Sequence, residues 1–179
     1  MLKLRYWPAH LLLVIALVAA GLLGWWQYSS WDAAREHAAQ DLSNAPAKQL
    51  TDVFGPDDTF PGAELGRRVT FAGEWLPQST LFIRDRDHDG RTGYWVMTPV
   101  AVGDAAMPVI RGWSAKPQAA AVSGQVDIEG WLQAGEGDTQ PDPDPDDDVI
   151  GAVRIASMTQ YVDRDLYSGY VVASTPTQG

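Results

Sequence analysis

The hydrophobic and polar positions divide the chain into two unlike parts. Leu11 to Trp26 is an unbroken apolar run, flanked by Tyr6 and Tyr28. A helix of this length crosses about 30 Å of hydrocarbon, so residues 6–28 are predicted to span a membrane. Tyr6 and Trp7 at one end, with Trp25, Trp26, Tyr28 and Trp31 at the other, have the spacing of two interfacial aromatic belts. Lys3 and Arg5 precede the run and the first acidic residue is Asp32. The positive-inside rule then predicts a cytoplasmic N-terminus over residues 1–5 and an extracytoplasmic remainder. Val18-Ala19-Ala20 offers a cleavage-like site, but the apolar run continues from Gly21 to Trp26, which favours a retained single-pass anchor over a signal peptide.

Residues 29–45 are alanine-rich and helix-forming, predicting a stalk that Asn44-Ala45-Pro46 terminates. From residue 46 to 179 the helical period fades. Short runs rich in Val, Ile, Phe and Trp appear at Arg67–Trp75, Thr80–Arg84, Gly93–Val100, Pro108–Trp113, Gln125–Leu132 and Gly169–Ser174. Each is bounded by Gly, Pro or Asp and reads as a strand. Val126, Ile128 and Gly130 alternate with Asp127, Glu129 and Trp131, the period of a half-solvated sheet. Ala152–Val162 suits a short amphipathic helix. The expected fold is therefore mainly β, an antiparallel sheet with one or two short helices (α+β at most), carried outside the membrane on a single helix. Within it, residues 141–148 alternate Pro with Asp and read as a solvated acidic loop.

Charge and chemistry narrow the function. The chain has 23 Asp and Glu against 13 Lys and Arg, a net charge of −10, and all the acids follow residue 31. Such a surface repels phosphate backbones, so nucleic acid is not an expected partner. The absence of Cys removes disulfide scaffolds, thiolate metal sites and cysteine nucleophiles. His10, His37 and His88 share no ligand-like spacing, and no hydrolase, zinc-protease or nucleotide-binding motif occurs, so no catalytic residue, cofactor site or metal site is predicted. Asp85, Asp87, Asp89 and Gly90 match the first half of an EF-hand calcium loop, although the twelfth position is Val96 instead of Glu. The flanks Leu81–Ile83 and Tyr94–Val96 look like strands, so an acidic β-hairpin turn explains the same letters. A calcium-binding surface module and a plain hairpin both stay open at this point.

Several segments, in order, resemble the Surfeit locus protein 1 family. Leu23-Gly24-Trp25-Trp26-Gln27 is similar to the Leu-Gly-x-Trp-Gln signature at the end of that family's first transmembrane helix, with Ser30 where the family has Arg. Val69–Gly73, Gly93–Pro99, Val109–Trp113 (Val-Ile-Arg-Gly-Trp, for the family's Val-Asn-Arg-Gly-Trp), Gln125–Gly130, the run from Arg154 and Asp165–Val172 follow. The tail resembles the actinobacterial branch. The resemblance implies a non-enzymatic protein of the bacterial cell membrane that associates with cytochrome c oxidase subunits as an assembly factor. It leaves open a resident accessory subunit of an oxidase or a respiratory supercomplex. Family members carry a second transmembrane helix, whose His is the haem ligand of haem-binding relatives; the sequence ends at Gly179 without one, so no haem-binding residue is carried over. The residues expected to contact partners are Gly24, Trp25, Trp26 and Gln27 in the membrane, and Arg111, Gly112 and Trp113 in the domain. Trp25 and Trp26 also suit belt anchors. Gly24 suits close helix approach. Arg111–Trp113 suits a turn in which Arg stacks on Trp, or an Arg that pairs with a partner's carboxylate or a haem propionate.

Overall fold

Leucine and alanine dominate the first 40 residues, and the chain there forms one helix, α1 (Trp7–Asn44). At 1.5 Å per residue its 38 residues extend about 57 Å, enough to cross a bilayer and continue beyond it. His10–Ser30 is the stretch long and apolar enough to span. The computed structural model describes residues 7–137, 144 and 147–175, with side chains in α1 at residues 10–30 and 42–44. The expected cytoplasmic segment 1–5, the stalk's side chains at 31–41 and most of the acidic loop 141–148 lie outside the described residues. The chain divides into two compact units, Met1–Gln40 and Asp41–Gly179.

The second unit is built from β1 (Lys48–Gln49), β2 (Arg68–Trp75), β3 (Leu81–His88), β4 (Arg91–Val102), β5 (Ala105–Ser114), β6 (Gln125–Ala134), β7 (Val149–Ile150), the single-turn α2 (Ile155–Met158), β8 (Asp165–Leu166) and β9 (Gly169–Ala173). Hydrogen bonding runs β2–β6–β9–β5–β4 and returns from β4 to β2 at Glu74↔Ala101 and Trp75↔Val100. Five strands thus close into a Greek-key barrel of the OB type. The long pairs are antiparallel, as expected, whereas β5 and β9 run parallel at Val109↔Val171 and Ile110↔Val172. Closure needs strands to approach closely. A Cβ on Gly73 would lie 2.2 Å from the Ala101 carbonyl oxygen, so only glycine fits where β2 turns onto β4.

Val69, Phe71, Val100, Met107, Val109, Ile128, Leu132 and Val171 belong to one core cluster. Leu81, Ile83, Met97, Ile110, Val153, Met158 and Tyr170 form a second. Because Val109 joins the first and Ile110 the second, β5 is covered on both faces, which is why Ala105–Ile110 reads as a continuous apolar run without alternation.

Two expectations are corrected. The strand expected at Thr80–Arg84 continues through the acidic residues to His88, since its last residues pair with Arg91–Gly93. The helix expected over Ala152–Val162 shrinks to Ile155–Met158. Val153 is held by Glu136, its N–H donating to the carboxylate at 2.9 Å and its carbonyl accepting from the Glu136 N–H at 2.8 Å. Arg154 is extended, so the helix starts only after it.

Candidate functional site

The β3–β4 hairpin turns at Asp89 and Gly90, both with positive φ, and Asp85 also has φ 61°. Asp tolerates this backbone better than most residues, which accounts for its repetition here. The Asp87 carboxylate accepts from the Thr92 hydroxyl at 2.6 Å, while Asp85 lies beside Arg84 and Asp89 beside His88. The three carboxylates do not converge, and among the described residues no group of three or more His, Asp or Glu is placed to hold a metal ion. The EF-hand letters therefore belong to a β-hairpin, and the calcium reading is set aside.

On the neighbouring strand, the register between β4 and β5 shifts: Met97 faces Ile110, and the next β4 residue, Val96, faces Gly112. Arg111 is the extra residue of a β-bulge, a device that re-aims a side chain. Its side chain is buried, 3 % exposed. The Nε donates to the Thr98 hydroxyl at 3.0 Å, and an Nη donates to the Ala120 carbonyl at 2.7 Å, tying the β5–β6 loop to the barrel. Thr98 in turn contacts the Thr80 hydroxyl at 2.9 Å. Burial pushes the guanidinium pKa down from its ordinary value. The expected turn at Arg111–Trp113 is thus a bulged strand, and Arg111 is directed inward because the bulge aims it at Thr98.

Trp113 takes a different cation. The Arg91 guanidinium lies 5.3 Å from the centre of its ring, and His88 sits against it at 5.4 Å with a 34° tilt. The indole N–H donates to the Arg86 carbonyl at 2.8 Å, fixing the ring's orientation. Across the ladder Trp113 pairs with Trp95, whose ring carries the Arg86 guanidinium at 4.3 Å. Arg86 also donates to Glu136 at 2.5 Å. Beside this pair, burial and then the Glu136 charge push the Tyr170 phenol up to about 12, partly opposed by Arg86.

His88, Arg91, Trp95, Arg111 and Trp113 line a cleft of about 510 Å³ with the β5–β6 loop and with Val172 and Ala173 of β9, the strand beside β5. Among the described residues that line it, two are Arg and none is Asp or Glu. In a chain with net charge −10 this is a local reversal of sign.

Arg111, Gly112 and Trp113 therefore come together in one cleft. Gly24, Trp25, Trp26 and Gln27 belong to the other compact unit. There Trp25 is 74 % and Trp26 63 % exposed, and a Cβ on Gly24 would meet nothing within 4 Å, so this end of the apolar segment is bare. His88, Arg91 and Trp95 were not singled out from the sequence. Their signal is the cross-strand register, which places Trp95 opposite Trp113 and is invisible until the bulge is known. A family model described as the SURF1 family matches residues 14–178, and a search of curated proteins finds no match.

Proposed function

Because the chain belongs to the SURF1 family, whose members generally serve cytochrome c oxidase assembly without catalysing a reaction, we propose that it is a membrane-anchored assembly factor that binds oxidase subunits. The carrying observation is the extent of the match, which takes in most of α1 and the whole barrel. In this reading α1 crosses the bacterial cell membrane with its N-terminus in the cytoplasm, consistent with Lys3 and Arg5 before the apolar run. Gly24, Trp25, Trp26 and Gln27 contact oxidase helices near the outer interface, where a small residue permits close approach and Gln supplies hydrogen bonds. The barrel engages extracytoplasmic loops of the same subunits through the cleft around Trp113. Nothing in this scheme requires a bond to be made or broken.

The test is deletion with recovery. Removing the gene should abolish the haem a absorbance of isolated membranes, and the full chain extracted in mild detergent should bring oxidase subunits with it. Intact haem a absorbance, with active oxidase running in smaller complexes, would instead identify a resident accessory subunit and overturn the assembly role.

A further inference from the structure

The cleft combines three features that point to one kind of occupant. Its charged lining is positive in a strongly acidic chain, which selects an anionic ligand and excludes more of the chain's own kind of surface. Its aromatic wall, Trp113 and Trp95, is held in place by the Trp113 N–H bond to Arg86 and by two guanidinium contacts, so it is rigid before anything binds. Third, β5 has a free edge here. Gly112, Trp113 and Ser114 pair with β4 on one side, whereas on the other, among the described residues, β9 pairs with β5 only at Val109 and Ile110 and keeps to β6 over its whole length. Gly112 sits on that edge with open space where a side chain would be. An exposed edge with pockets beside it is what an extended peptide adds to.

We propose that the cleft receives an extended acidic segment of a partner polypeptide, laid along the Gly112–Ser114 edge of β5 with a carboxylate on Arg91. The segment's apolar positions rest on Trp113, and Arg111, held at the base, contributes positive potential and fixes the β5–β6 loop as one wall. Nucleic acid, the other extended anion, is disfavoured by the net charge of the surrounding surface. The inference deepens the oxidase reading by naming the chemistry of the contact and rests on that reading only for the identity of the natural partner.

The test uses the full chain in a non-ionic detergent and fluorescence anisotropy. The probes are a fluorescein-labelled ten-residue peptide of alternating Glu and Val and its Gln and Val counterpart. The acidic peptide should bind the tighter, and rising salt should weaken it. Arg91→Glu replaces an attraction at the rim by a repulsion and should weaken it about tenfold, with Arg91→Gln between, while Arg154→Glu outside the cleft changes it less than twofold. Methylating alternate backbone nitrogens of the acidic peptide removes the donors it would give to the Gly112–Ser114 edge and should also lose about tenfold. Equal binding of the two peptides, or no effect of Arg91→Glu, overturns the proposal. So does displacement of the probe by equimolar inorganic phosphate, which marks a general anion site. Loss of peptide binding while oxidase subunits still co-purify removes this inference alone; intact peptide binding without co-purification removes the oxidase reading alone.

Discussion

Replacing Gly93 with alanine would put a methyl carbon 2.4 Å from Cζ2 of Trp113 and 2.5 Å from the Ser114 carbonyl oxygen. Neither neighbour can give way freely. Ser114 is backbone in the adjoining strand, paired with Tyr94, and Trp113 is fixed by its bond to the Arg86 carbonyl and by Arg91 over its ring. Accommodating the methyl means separating β4 from β5 or turning the indole out. Overpacking of this kind costs about 1–3 kcal/mol, and loss of the indole hydrogen bond adds about 1 kcal/mol. A total of about 2–4 kcal/mol lowers the melting temperature of a domain this size by roughly 5–15 °C. Gly112→Ala on the facing strand is the matched control, since its Cβ would meet nothing within 4 Å. Thermal melts of the full-length variants in detergent, followed by near-ultraviolet circular dichroism, make the comparison. Gly93→Ala melting with the parent protein, or Gly112→Ala falling equally far, would refute the packing argument.

Arg111→Met keeps the bulk but removes the donors to Thr98 and Ala120; the loss of two charged hydrogen bonds, offset by relief from burying a charge, should destabilise the domain by about 2–4 kcal/mol and raise amide exchange across residues 115–124. For Tyr170 the folded phenol, at about 12, is harder to ionise than an unfolded one near 10, so its contribution is complete below pH 10 and is lost as pH rises toward 12. Denaturation between pH 9 and 11.5 should show stability falling for the parent and falling less for Tyr170→Phe, with Tyr167, also raised by burial, accounting for part of what remains. Glu64, lowered chiefly by its hydrogen bond from Arg67, acts at the other end: its contribution holds above the ordinary carboxylate range and is lost on acidification, so Glu64→Gln should flatten the acid limb of a stability–pH curve. Millimolar calcium should leave the melting temperature unchanged, because Asp85, Asp87 and Asp89 are turned to different neighbours; an upward shift in calcium would restore the EF-hand reading.

The sequence was most informative where a single property decided the outcome. The long apolar helix follows from the run Leu11–Trp26, and six strands follow from β-branched and aromatic runs, because each such strand buries a face wherever it is placed. Barrel closure was not legible, since it depends on Gly73 and on the Trp75↔Val100 pairing between strands distant in sequence. The role of Arg111 was hidden for a similar reason. Its type and neighbours suggest an Arg stacked on Trp113 or one paired with a partner's acid, and only the bulge opposite Val96 and Met97 turns it inward onto Thr98. The partners of Trp113 come from the hairpin that the acidic letters suggest, where His88 and Arg91 flank the turn that Asp89 and Gly90 make possible, but only the strand register sets them against Trp113.

The most direct measurement places a photo-crosslinking amino acid at Gln118, on the exposed rim of the cleft, in the full-length protein expressed in its own membrane. Irradiation, detergent extraction and mass spectrometry then identify whatever was in contact. The account predicts adducts with an acidic extracytoplasmic stretch of a cytochrome c oxidase subunit, lost in Arg91→Glu; adducts with lipid alone, or with proteins outside the oxidase, would contradict it.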